Sequence, residues 1–339
     1  METCTTPPLR RNSPHHCVAR GRNGRDFSTV RRNLFATCLV SIAMVSVVDL
    51  QPAGLDAAPT PSASKRSRAP RSLTRSVITQ NCRGLKTDSR VTEFVSQMRE
   101  RHVWAAGCQE TWRSGQDEFI QDGYCFLGVG PTLQQGRGSA GVALVLSRSA
   151  TAAWQAAGSI VHNDLGPRVI AAPMLAQDAR TRRPLGTYLV SSYAPTSDAT
   201  VVDWDTYYSA LATAVARMPS GYVLVICSDA NASIGRATPD SNRNGAVGSH
   251  GLDHVNASGR RLRSFLELHQ LAALASFFWK RHYGTWMHPR SKLLHQLDHI
   301  FVARSDVHRF TDAGSRPGQL IDSDHRAVGC KLRITTGFQ

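Results

Sequence analysis

The sequence predicts an α/β (α+β) domain in which two β-sheets pack face to face with helices outside. Three observations predict it. From Ser76 onward, apolar runs of strand length recur, each bounded by turn residues. Only three stretches between them carry helical spacing. Several runs follow one another as hairpins, where a simple βαβ succession would alternate strand and helix more regularly. At 339 residues the chain could hold two domains, but layered domains often reach ~250 residues as one unit.

Residues 1–73 differ from the rest. They are rich in Arg, Ser, Pro and Ala and hold seven of the fifteen net positive charges. Within them Leu34 to Val48 is an apolar run preceded by Arg31-Arg32. It is shorter than the ~20 residues a membrane span needs, so a membrane location is not expected except through this run. A signal anchor or an organelle-targeting tail are the alternatives. The segment is expected to be a basic, largely disordered extension, with Gln51 to Arg71 as a linker. The folded domain is expected over 74–334, with 335–339 a short tail.

The strand-like runs begin with Ser76–Cys82 and Val103–Cys108. Tyr124–Val129 and Ala140–Leu146 flank a Gly-rich turn at Gly136-Arg137-Gly138, and Val169–Ala176 and Leu185–Tyr193 flank a polar turn at Asp178–Pro184. Tyr222–Cys227, Leu297–Val302 and Ala327–Leu332 complete the set, the last preceded by a Gly/Pro/Ser-rich stretch, Thr311–Leu320, read as a loop. The three helices are expected at Thr87–Arg101, Asp203–Met218 and Ser258–His269. The first buries Val91, Phe94, Val95 and Met98, with Asp88 as its N-cap. The second presents Trp204, Tyr207, Leu211 and Val215, and the third Leu262, Phe265 and Leu266.

The chain is basic, with net charge +15 and a preponderance of Arg, so a polyanion is the natural partner. The planar guanidinium fork suits phosphate oxygens. The eight cysteines form no Cys-x-x-Cys pair and no zinc-ligand spacing with histidine, which excludes a disulfide scaffold and a sequence-local zinc site. Cys82, Cys108, Cys227 and Cys330 lie in or beside apolar runs and read as reduced core residues of an intracellular protein.

Polar residues collect at the strand ends: Asn81, Glu110, Tyr193, Asp229, Asn231, Asp298 and Asp324-His325. Each alone has an ordinary reading as a turn or rim residue. Together they supply the parts for hydrolysing a phosphodiester. Glu110, an amide oxygen and a further Asp are hard ligands of the kind Mg²⁺ takes. A carboxylate–histidine pair can hold an imidazolium beside a phosphoryl oxygen. Asp229 and Asn231, two apart in an extended segment, would share one face, one activating a water and the other steadying it.

Asn81-Cys82-Arg83-Gly84-Leu85, Gln109-Glu110-Thr111, Tyr193-Ala194-Pro195, Ser228-Asp229-Ala230-Asn231, Gln296-Leu297-Asp298-His299-Ile300 and Ser323-Asp324-His325 resemble, in order, the successive motifs of the endonuclease/exonuclease/phosphatase family. Gly251-Leu252 through Asn256 to Phe265, Ala275-Ser276-Phe277-Phe278 and Thr285-Trp286 resemble a narrower branch, the endonuclease domains of LINE-type retrotransposons and craniofacial-development-protein-2-like proteins. The resemblance implies a four-layer α-β-β-α sandwich of two mixed sheets. It implies Mg²⁺, with Mn²⁺ as the alternative, on Glu110 with Asn81 and Asp324. Asp229 would orient or deprotonate the water, Asn231 would place the phosphate, and Tyr193 would bond a phosphate oxygen. Asp298 would orient His325, which would stabilise the transition state's charge.

Two departures stand out. Much of the family reads Gly-Asp-Phe-Asn where this chain has Ser228-Asp229-Ala230-Asn231, and many repair nucleases carry an acidic residue where Arg83 stands. Arg83, Asn256, Thr285 and Trp286 are the expected substrate contacts, with capping the stronger expectation for Asn256. The loop Gly235–Gly251, with Arg236 and Arg243, is long enough to probe a groove. The expectation is a monomeric Mg²⁺-dependent DNA endonuclease leaving a 3′-hydroxyl, without an obligate protein partner, nuclear if it acts on genomic DNA, and without a reverse transcriptase. The rivals are a phosphatase or inositol-phosphate or phospholipid diesterase of the same fold, and an inactive nucleic-acid binder.

Overall fold

The computed structural model describes residues 73–132, 140–177, 184–238, 245–316, 318 and 320–334. The N-terminal extension with its 34–48 run, the turns at 136–138 and 178–183, Arg243 and the tail lie outside them.

The first sheet takes β1 (Leu73–Asn81), β2 (Ala105–Gln109), β3 (Gly115–Gln121), β4 (Tyr124–Gly130) and β5 (Val142–Leu146). The second takes β6 (Val169–Gln177), β7 (Pro184–Tyr193), β8 (Val223–Asp229) and the short β9 (Leu271–Ala273). A small hairpin, β10 (Trp286–Met287) and β11 (Leu294–His295), stands apart. β12 (Asp298–Ala303) then joins the second sheet, and β13 (Phe310–Ser315) and β14 (Val328–Ile334) join the first. The orders are β13-β14-β1-β2-β5-β4-β3 and β6-β7-β8-β12-β9. Both sheets are mixed, because β1 and β2 run parallel, as do β7 and β8, while their other neighbours are antiparallel.

Helix α1 (Asp88–Glu100) buries Val91, Phe94, Val95 and Met98 against the outer face of the first sheet. Helices α3 (Val201–Ala216) and α4 (Ala257–Leu268) cover the outer face of the second, with Trp204, Tyr207, Leu211, Leu262, Phe265 and Leu266. Between the sheets lies a third apolar cluster that includes Val77, Leu144, Leu189, Val225 and Ile300. The short α2 (Arg148–Ala156) adds Ala150, Ala153 and Trp154 to it. The result is the expected layering of helix, sheet, sheet and helices. β8 reads as a continuous apolar run because both its faces are covered. The five cysteines among the described residues are free and buried. None of the described helices is long and apolar enough to cross a membrane.

Three local expectations are corrected. Thr87, not Asp88, caps α1; its side chain accepts from Arg90 N, while Asp88 sits in the first turn, where its charge suits the helix dipole. Part of the 311–320 stretch is strand, since β13 pairs with β14 across a register shift between Phe310 and Asp312. Asn231 is not extended: β8 ends at Asp229, and Asn231 turns into the left-handed region at φ 45°.

The sheets approach closely where the site forms. A Cβ on Gly107 of β2 would lie 2.3 Å from Cys227 Cβ of β8, so only glycine lets these strands meet. Buried polar bonds lock the contact. Gln109 Nε2 donates to Ser191 Oγ (3.1 Å) and Cys227 O (3.2 Å), and Ser191 Oγ donates to Cys108 O (3.0 Å). Unmade, such bonds cost about 1–3 kcal/mol per buried group, so they fix the register between the sheets. The ends of β1 and β2 are thereby set against those of β7 and β8.

Candidate active site

Asn81 ends β1, Glu110 follows β2, and Tyr193 and Asp229 end β7 and β8. Asn81 joins them: its Nδ2 donates to Glu110 Oε1 and to Asp229 Oδ2, each at 2.9 Å. Its Oδ1 accepts from Arg83 N at 3.1 Å and keeps a second lone pair. Tyr193 OH donates to the same Glu110 oxygen at 2.9 Å, and Trp112 Nε1 approaches Oε2 at 3.4 Å. Asp229 Oδ1 accepts from Asn231 N at 3.1 Å, while Asn231 Nδ2 donates to Ala194 O at 2.9 Å.

The second half is a buried pair. His325 Nδ1 lies 2.9 Å from Asp298 Oδ2, and both side chains are buried. Thr285 Oγ1 accepts from Leu297 N (2.9 Å) and Asp298 N (3.1 Å), fixing the start of β12. Ser323 Oγ donates to Asn81 O (2.8 Å) and accepts from His325 N (3.2 Å), while Gln80 Nε2 donates to His325 O (3.2 Å). This ties the Asp298–His325 half to the end of β1.

The electrostatics follow from burial. Burial and the Asp298 charge raise the Asp229 carboxyl to about 7, against the pull of His325 and the Asn81 and Asn231 hydrogen bonds. For His325 burial favours the neutral ring, but the charge and hydrogen bond of Asp298, with Asp229 and Asp324 nearby, outweigh it and raise the imidazole to about 10. His325 is therefore a cation at neutral pH. Burial, then the charges of Glu110 and Asp229, keep the Tyr193 phenol protonated. Four non-glycine residues of these loops, Arg83, Glu110, Trp112 and Asn231, hold φ between 45° and 57°. Such a cluster of left-handed residues is characteristic of functional loops held by their surroundings.

Among the described residues, Glu110 and Asp229 accept only from neutral groups, with no basic side chain in an ion pair with either. Glu110, partly exposed and without a cationic partner, offers the hard oxygens a divalent cation takes. Asn81 Oδ1, which accepts only from Arg83 N, offers a further one, whereas Asn81 Nδ2 can only donate. Asp324 is exposed, and its Oδ2 is engaged by Trp286 Nε1 (3.1 Å) and the Arg83 guanidinium (3.3 Å). Asp229, Asp298 and His325 form a further group whose donor atoms lie within 4.8 Å of one another. Asp298 and His325 already bond each other there, so a proton network suits that group better than a hydrated ion.

The structure thus brings together Asn81, Glu110, Tyr193, Asp229, Asn231, Asp298 and His325, with Asp324, Arg83 and Trp286 at the rim. Asn256 caps α4, its Oδ1 accepting from Gly259 N (2.7 Å) and Ser233 N (3.2 Å). Sequence reasoning gave Ser323 no role beyond its place in the Ser323-Asp324-His325 motif. It missed Trp112 and Arg168, whose guanidinium lies 5.1 Å from the centre of the Tyr193 ring and bonds Tyr193 O at 3.3 Å. Trp112 was within reach, two residues past Glu110; Arg168 gave no signal, because its partner is a distant backbone.

Comparison with solved structures decides the fold. The AP endonuclease LMAP of Leishmania major superposes with a TM-score of 0.56 at 14% identity, covering 77% of this chain and 88% of that one. The 3′-5′ exonuclease NExo of Neisseria meningitidis does so with a TM-score of 0.52 at 19% identity, covering 76% and 99%. The fold is that of the endonuclease/exonuclease/phosphatase family. In sequence, craniofacial development protein 2 of Bos taurus is 29% identical over 154 residues, 45% of this chain and 25% of its own length. The protein of the same name from Tragulus javanicus is 28% identical over the same length. The chain spans about a quarter of these relatives, which agree with the narrower branch seen in the motifs. No family model matches the chain.

Proposed function

We propose that this domain is a Mg²⁺-dependent phosphodiesterase that nicks DNA and leaves a 3′-hydroxyl, as the LINE-type resemblance implies. One observation carries the reading: a single amide, Asn81 Nδ2, joins Glu110 and Asp229 at 2.9 Å from each, beside the buried Asp298–His325 pair. Glu110 would hold the ion with the Asn81 Oδ1 oxygen, and Asp324 would serve only after leaving Arg83. The ion would supply Lewis-acid charge to the phosphoryl oxygens.

The side chains account for the remaining steps. Asp229, poised near neutrality, takes a proton from the attacking water. The water oxygen bonds phosphorus, and the bond from phosphorus to the 3′-oxygen breaks, that oxygen being protonated from solvent. Charge grows on the non-bridging oxygens as this happens. His325, cationic and fixed by Asp298, lies at hand to balance it, an effect worth about 3–4 kcal/mol per such donor. Tyr193 OH bonds a phosphate oxygen when it turns from Glu110, and the second Nδ2 hydrogen of Asn231 does the same. Basic charge supplies the attraction to the backbone. The test is conversion of supercoiled plasmid to the open circle by purified protein in Mg²⁺, with EDTA as the control. Release of phosphate from inositol phosphates without plasmid nicking would contradict the reading.

A further inference from the structure

Beside the catalytic cluster, and sharing Arg83, Trp286 and Asp324 with its rim, lies a groove of about 1060 Å³ whose far wall the reaction chemistry does not use. One wall is the hairpin. Met287 and Leu294 are cross-strand partners and so share a face, and each is 42% exposed. Trp286 closes the end nearest the cluster, its indole bonded to Asp324 and its ring 6.3 Å from that of His325. The rim is cationic. Lys280 and Arg316 are paired through Asp312, but among the described residues Arg281, Lys292 and Arg326 are exposed and form no ion pair.

An apolar wall with a cationic rim matches a strand whose bases pack inward while its phosphates run along the edge. The volume is at the upper limit of an ordinary small-molecule pocket, about 300–1,000 Å³, and fits a run of a few nucleotides. A volume that fits a few nucleotides of one strand does not hold both strands of a duplex. An intact duplex would meet only the rim and leave Met287 and Leu294 in water.

We infer that this groove holds an unpaired stretch of the DNA strand next to the scissile phosphate, so that the preferred substrate is duplex DNA with a few unpaired nucleotides beside the cut. This rests on the nuclease reading, and the test separates the two. Binding is measured by fluorescence anisotropy in EDTA, and cleavage in Mg²⁺, on one oligonucleotide sequence as intact duplex and as a duplex with a four-nucleotide bubble. The full chain is compared with Met287→Ser/Leu294→Ser and with Arg281→Ser/Lys292→Ser. Wild type is expected to favour the bubble by about fivefold or more in both assays, the effect of losing about one base stack. The apolar variant keeps wild-type behaviour on the intact duplex and loses the preference; the charge variant weakens bubble binding most. Equal affinity of wild type for both DNAs, or a preference unchanged in the apolar variant, overturns the inference. Preferential bubble binding with no cleavage of either DNA leaves the groove standing and contradicts the nuclease reading instead. Cleavage of both DNAs at one rate does the reverse.

Discussion

Asp229 and Asp298 face each other as direct partners across the antiparallel β8–β12 pair, and both are buried. Like charges at such a position destabilise a sheet. Two features offset this: His325 bonds Asp298, and Asp229 takes on a proton near neutrality. The arrangement is costly to the fold and useful to the chemistry, which makes it testable from both sides.

The first test is stability. Asp229 has a folded pKa raised to about 7 from an ordinary 3.8. The folded state holds this proton more tightly than the unfolded chain. Its contribution is therefore complete below about pH 4 and is lost as pH rises through 7. Asp229→Asn cannot ionise, so its stability relative to wild type should grow more favourable between pH 5 and pH 8, by a few kcal/mol at most. Thermal melts at both pH values read this; a difference independent of pH would mean that Asp229 titrates normally.

The second concerns His325 and Asp298 as one unit. His325→Ala should cost about 10²–10³ in the nicking rate, and adding Asp298→Ala should cost little more. The activity of the Asp298→Ala single variant should also fall at lower pH than that of wild type. Its imidazole loses the charge that holds it near 10 and deprotonates earlier as pH rises. Additive losses in the double-mutant cycle, with an unchanged basic limb, would separate the two residues.

The third uses Gly84. Its φ is 111°, and a Cβ there would meet Trp112 Cε3 at 2.8 Å. Gly84→Ala should push the indole off Glu110 Oε2 and strain the loop by about 1–3 kcal/mol. Nicking by this variant should need more Mg²⁺ than wild type to reach half its maximal rate. An unchanged Mg²⁺ requirement would show that Trp112 does not support Glu110.

The fourth is ionic. If about five phosphates are neutralised on binding duplex DNA, log K should fall against log salt with a slope of about −4 to −5. A salt-insensitive affinity would make the basic charge a matter of composition.

The sequence shows the interior better than the edges. β4, β5 and β8 are buried throughout and read as apolar runs. β3 escaped notice because it is an edge strand whose residues alternate between half-buried and exposed, with Gln116, Asp117 and Glu118 among them. β10 and β11, two residues each, are too short to leave a period, and α2 is nine residues of mostly small side chains. At the site, the strand-end residues were legible one by one. That Asn81 would bridge Glu110 and Asp229 was not, because the bridge depends on how closely Gly107 lets the sheets approach. The left-handed turn of Asn231 was hidden for a related reason: Ala194 O, which draws its amide aside, comes from another strand's end.

The most direct measurement is plasmid nicking by wild type and Glu110→Ala across a Mg²⁺ titration, with EDTA as the zero point and circular dichroism as the check on folding. The account predicts nicking by wild type that EDTA abolishes, and a folded Glu110→Ala chain that does not nick at any Mg²⁺ concentration. Wild-type nicking that persists in EDTA, or Mg²⁺-dependent nicking retained by Glu110→Ala, would contradict it.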